Sequence, residues 1–199
     1  MELRRLGRSG LRVSPLGLGT ARMAGLGWRH GAAPGVSPEA RRDAVRQIQE
    51  AVDLGVTLFD TADNYGDGES ERILGEALRG RPGVIVVTKF GEDPIPDQED
   101  PWALDAEVVG RQCEASLRRL EAECIDVYLL HRRDYPLERA PELVGLLEDL
   151  VRAGRIRAYG WSTDDVERAR VFAEGEHCTA IEHRLNVLHD APAMLELCR

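Results

Sequence analysis

The sequence predicts an α/β fold in which parallel strands and helices alternate along one sheet. Three observations carry this prediction. Short apolar, β-branched runs recur six times, and each is followed by a stretch with helical patterning. Glycine closes several of those stretches, at Gly55, Gly80, Gly154 and Gly175. The turns from helix to strand are short, whereas the connections after strands are long at 21–38, 61–68, 90–103 and 132–140. Successive units of this kind require right-handed crossovers between parallel strands, and the elaborated face is the carboxyl end of the sheet, where such folds place their sites.

The elements follow in order. Leu3 to Val13 has two short alternating runs around Gly7-Arg8-Ser9-Gly10, a small hairpin ahead of the main fold. Pro15-Leu16-Gly17-Leu18-Gly19-Thr20 reads as the first buried strand. Arg22 takes the place of the third glycine in a G-x-G-x-x-G turn, which argues against a Rossmann dinucleotide fingerprint. Ser37-Pro38-Glu39 opens a helix with Val45, Ile48 and Val52 on its apolar face and Gly55 as its stop. Strand 56–60 leads to a helix near 69–79, and strand 84–89 to a helix near 104–120. Strand 125–131 leads to a helix near 141–153, and strand 156–162 to one near 165–174. Strand 179–184 precedes a last helix that starts around Asp190-Ala191-Pro192.

With 199 residues and 43% of them apolar, the chain is expected to form one domain over 1–199. A formal net charge of -9 argues against general binding to nucleic acid or anionic membranes. No apolar run approaches the roughly 20 residues that span a bilayer, and the first residues lack a signal-peptide core, so a cytoplasmic location is expected. Cys113, Cys124, Cys178 and Cys198 have no metal or disulfide spacing and are expected to be buried, reduced thiols; no metal site is expected. His30, His177, His183 and His189 show no ligand spacing, and Arg132-Arg133 reads as a solvated basic pair. Trp28 and Trp102 lie in the long mouth-side loops, where each either lines a pocket or anchors its loop.

The predicted strands end on polar residues at that mouth: Thr20, Asp60, Lys89, His131 and Ser162. Lys89 is the only lysine beside 25 arginines, which suggests a position that needs a compact ammonium of tunable pKa. Asp60 closes the run Leu58-Phe59-Asp60, and Tyr65 follows in the turn Asn64-Tyr65-Gly66. Asp60, Tyr65, Lys89 and His131 together suit proton transfer. The ammonium would lower the phenol's pKa, the carboxylate would hold the ammonium, and the imidazole would steer a carbonyl.

Phe59-Asp60-Thr61-Ala62-Asp63-Asn64-Tyr65-Gly66, Val87-Thr88-Lys89, Asp126-Val127-Tyr128-Leu129-Leu130-His131 and Gly160-Trp161-Ser162-Thr163 together resemble the aldo-keto reductase family. The resemblance implies a (β/α)8 TIM barrel closed underneath by the hairpin. It also implies reduction of an aldehyde or ketone by hydride from NADPH, which leaves NADP+. Asp60, Tyr65, Lys89 and His131 match the catalytic residues, with Tyr65 as proton donor. Thr20, Asp60, Ser162, Thr163 and Glu182 match the cofactor-binding positions. Two features depart from the family pattern. Thr163 and Glu182 stand where the family has Asn and Gln, and a carboxylate accepts from a carboxamide NH2 but cannot donate to its carbonyl. Only six strand-helix units are present, and the last stops two turns into its helix. The chain is therefore expected either to be a reductase whose sequence is truncated, or to be a non-catalytic partial barrel that binds cofactor or associates with a partner or with itself.

Overall fold

A computed structural model describes residues 1–24, 36–92, 100 and 102–199. Trp28 and His30, named above as loop residues, lie outside the described residues. β1 (Arg4–Arg5) and β2 (Arg12–Val13) form the antiparallel hairpin. Six parallel strands then form one curled sheet in sequence order: β3 (Gly17–Gly19), β4 (Leu58–Asp60), β5 (Ile85–Phe90), β6 (Ile125–Leu130), β7 (Ile156–Ser162) and β8 (Cys178–Glu182). The helices between them are α1 (Pro38–Asp53), α2 (Glu69–Leu78), α3 (Ala106–Leu120), α4 (Ala140–Arg152) and α5 (Val166–Ala173), with α6 (Pro192–Leu197) last. This is a partial (β/α)8 barrel.

Local sequence explains the starts of the helices. Ser37 accepts from the Ala40 amide ahead of Pro38. Asp105 accepts from the Val108 amide, and Asp165 accepts from the Glu167 and Arg168 amides, so exposed first-turn donors are satisfied in each case. β3 is shorter than the expected 15–20, and it is not the buried strand expected: Gly17 and Gly19 are exposed and Leu18 half-buried. β8 stops at Glu182 rather than 184.

Alternation along the strands separates two apolar layers. Phe59, Phe90, Tyr128, Leu130, Tyr159 and Trp161 face the helices and form the main core with Ile48, Ile73, Leu74 and Phe172. Each large side chain buried there contributes about 1.5–3 kcal/mol. Val87, Val127 and Leu129 face inward, where Leu58, Ala180 and the hairpin residues Leu6 and Leu11 pack on them. The hairpin thus plugs the amino-terminal end of the sheet. The same parity continues upward past each apolar pair: Leu58 is followed inward by Asp60, Val87 by Lys89, Leu129 by His131, Gly160 by Ser162 and Ala180 by Glu182.

Two of the four cysteines, Cys113 and Cys178, are buried as expected; Cys124 is half-buried and Cys198 exposed.

Candidate active site

Lys89 is fully buried, and its ammonium donates to Asp60 Oδ2 at 2.6 Å and to the Thr61 carbonyl at 2.9 Å. Glu182 Oε2 stands 3.5 Å away on the other side. The Lys89 Nζ lies 5.2 Å from the centroid of the Tyr65 ring, and the His131 ring meets Tyr65 edge-on at 5.8 Å. Four of the residues singled out in the sequence therefore share one mouth, and Glu182 joins them from the last strand.

Backbone geometry fixes this cluster. Beyond β4 the ladder continues through Thr61 N–H to the Val87 carbonyl and Asp63 N–H to the Lys89 carbonyl. His131 N–H donates to the Phe90 carbonyl in the same way. The turn that presents Tyr65 closes at Gly66, whose φ is +60° and where an added Cβ would lie 2.5 Å from the Ala24 Cβ. Only glycine fits both constraints.

Parity also separates the cofactor candidates. Ser162 and Glu182 are paired in register and face inward, with Ser162 Oγ donating to Glu182 Oε1 at 3.3 Å. Together with Arg133, Thr163 and Arg184 they line an open cleft of about 210 Å³. Thr20 and Thr163 each sit one residue past an inward position. The Thr20 hydroxyl is directed outward, where it donates to the Asp60 carbonyl and meets Ser70 Oγ at 2.7 Å. The Thr163 hydroxyl accepts from the Asp165 amide and serves the start of α5. Both side chains are buried among protein partners.

The electrostatics correct one expectation. Tyr65 was expected to have a lowered pKa beside Lys89. Its phenol is instead held above its ordinary value, because burial opposes the phenolate more than Lys89 favours it, and Asp60 and Glu182 oppose it further. For Lys89, burial pulls the pKa down, but Asp60 and Glu182 outweigh it and the ammonium is held more tightly than usual. Asp60 is pushed up to about 7 by burial, partly offset by Lys89, with Glu182 adding to the rise. Two carboxylates thus share one ammonium, and that extra negative charge is absent from a reading of Asp60, Tyr65 and Lys89 alone.

Glu92 was not singled out in the sequence. Its Oε2 lies 2.9 Å from His131 Nδ1 and accepts from Asn64 Nδ2 at 2.8 Å. Hydrogen bonding to His131 holds its carboxyl below the usual range, against burial. The available signal was its place two residues past the end of β5, on the face that carries the other polar groups. Glu71 on α2 is fully buried and accepts from Thr88 Oγ1 at 2.6 Å and from Arg119 Nε at 2.5 Å. It ties the helix after the Tyr65 turn to the strand that carries Lys89. Arg132 is more than a solvated cation, since its guanidinium lies 4.2 Å over the half-buried Trp102 ring. Trp102 is thereby anchored in its loop. Among the described residues no group of three or more His, Cys, Asp or Glu could hold a metal ion, and no helix is long and apolar enough to cross a membrane.

A parallel partial barrel with a lysine, tyrosine, histidine and carboxylate gathered at its carboxyl end defines a class of α/β-barrel proteins. The match of residues 15–199 to the aldo/keto reductase family model shows that the chain belongs to that family. It is 35% identical over 175 residues to the aldo-keto reductase YhdN of Bacillus subtilis, covering 86% of this chain and 50% of that protein. It is 37% identical over 133 residues to the methylglyoxal reductase YeaE of Escherichia coli, covering 66% of this chain and 43% of that protein. A solved aldo/keto reductase from Klebsiella pneumoniae, in complex with NADP and acetate, superposes with a TM-score of 0.68 at 34% identity, over 88% of this chain and 56% of that one. The chain spans about half the length of the curated relatives it matches.

Proposed function

We propose that residues 1–199 form the acid-base and ring-binding part of an NADPH-dependent reductase of small aldehydes or ketones, acting in the cytoplasm. The observation that carries this reading is the inward cluster of Tyr65, Lys89, Asp60 and His131 around one mouth. The cleft beside it suits a nicotinamide carboxamide: Glu182 can accept from its NH2, and the Ser162 hydroxyl, turned from Glu182, can donate to its oxygen. When bound, the nicotinamide supplies the hydride that becomes the new C–H bond of the alcohol. Tyr65 gives its phenolic proton to the carbonyl oxygen as the C=O bond becomes C–OH. A raised phenol pKa keeps that proton in place at neutral pH, and the alkoxide formed is basic enough to take it. Lys89 then stabilises the phenolate left behind, and Asp60 keeps Lys89 charged and oriented. His131 donates to the carbonyl oxygen and aims it at Tyr65.

Fluorescence titration with NADPH, followed by turnover of a panel of small aldehydes, tests the reading. Saturable binding and turnover are expected. Tyr65→Phe should lower turnover by about 10²–10⁴-fold, the range for a lost general acid, with cofactor affinity little changed. An unchanged rate would remove Tyr65 from its role.

A second reading rests on the sheet edges: among the described residues β3 and β8 each pair on one side only, and Val187 and Leu188 beyond β8 are exposed. A partial barrel that works by association would bind no NADPH in the same titration.

A further inference from the structure

We propose that Glu182 selects the redox state of the cofactor, favouring the oxidised nicotinamide over the reduced one; this rests on the reductase reading above. The argument starts from charge at the mouth. Lys89 supplies one positive charge, and its shortest bond is to Asp60 at 2.6 Å. Glu182 is farther away at 3.5 Å, beyond ordinary hydrogen-bond length, and its side chain is 43% exposed. Its other oxygen accepts from the neutral Ser162 hydroxyl. With Asp60 ionised, above about pH 7, Asp60, Glu182 and Lys89 together carry a net charge of -1, and the uncompensated part sits on the carboxylate that opens onto the cleft.

The neighbouring charges do not cancel it. Arg184 shares the cleft, but its guanidinium pairs with Asp164 at 3.4 Å. Arg133 also lines the cleft and is exposed to solvent, where screening weakens its reach. Glu92, on the far side by His131, is itself an acid.

The two cofactor forms differ only in the ring. The oxidised nicotinamide carries a positive charge and the reduced one is neutral. Contacts to the phosphates, ribose and adenine are common to both, so the ratio of the two dissociation constants isolates the charge felt by the ring. A carboxylate against the carboxamide lowers the free energy of the cationic form and leaves the neutral one nearly untouched.

Isothermal titration of the full 199-residue chain with NADP+ and with NADPH tests this. Glu182→Gln should shift the affinity ratio toward NADPH by about fivefold, the scale of one partly solvated charge pair. Glu182→Asp should keep most of the wild-type ratio, because the charge remains. Raising the salt concentration should erode the preference for NADP+ in the wild type more than in Glu182→Gln. If both cofactors bind and the ratio does not move in Glu182→Gln, the assignment of Glu182 is overturned and the reductase reading stands. If neither cofactor binds the wild type, both are overturned.

Discussion

Lys89 carries its charge in a fully buried position because two carboxylates and a carbonyl surround it. Asp60→Asn would leave Glu182 as the remaining carboxylate near Lys89, at 3.5 Å; because the fold favours the protonated form of Asp60, which Asn imitates, the substitution should cost less than about 1 kcal/mol at neutral pH. Urea unfolding measures it. Asp60→Asn and Glu182→Gln combined should cost more than their sum, since each carboxylate backs up the other. The pH dependence has a definite sign. Asp60 sits at about 7 in the fold, above its unfolded value near 4, so the folded chain binds the extra proton. The stability it contributes is complete below about pH 4 and is lost as pH rises toward 7; Asp60→Asn should flatten that slope. Inward strand ends such as Lys89 and His131 were readable in the sequence because alternation is strict along a strand. The direction of the Tyr65 shift was not, because it depends on burial and on Glu182 arriving from a strand more than a hundred residues away. Thr20, read as a polar strand end, and Thr163, matched by the resemblance, each sit one residue past an inward position, with their hydroxyls bonded to protein partners.

At the scale of elements, every strand-helix unit expected from periodicity is present, with ends displaced by a residue or two. The short 3-10 turn Leu137–Arg139 after Pro136 had no distinct signal, because a single turn has no period to read. The pairing of β7 with β8 matters most for the mouth, since it carries Ser162 and Glu182. Gly160 permits it: a Cβ there would lie 1.7 Å from the Ala180 carbonyl oxygen, a backbone atom that cannot move aside without breaking the ladder. Gly160→Ala should destabilise the fold by about 2–4 kcal/mol, at or above the upper end of ordinary overpacking. Weakened amide protection confined to β8 and the end of β7 in hydrogen exchange would locate the damage. Uniform loss across β5 and β6 would contradict this placement.

For the molecule as a whole, the sheet is a curl with two free sides, and the count of six units was plain in the sequence because each unit carries its own strand and helix pattern. The composition has one further consequence. With 25 arginines and one lysine, the sequence offers a single side-chain primary amine, Lys89, which has no solvent exposure. Lys89 is therefore a built-in chemical reporter. Brief treatment with an amine-acylating reagent should leave Lys89 unmodified in the native chain, and peptide mass spectrometry should find it modified only as the chain opens. Plotted against urea, Lys89 acylation should follow the unfolding transition seen by circular dichroism. Acylation well ahead of that transition would mean that the mouth opens on its own, with the rest of the fold intact.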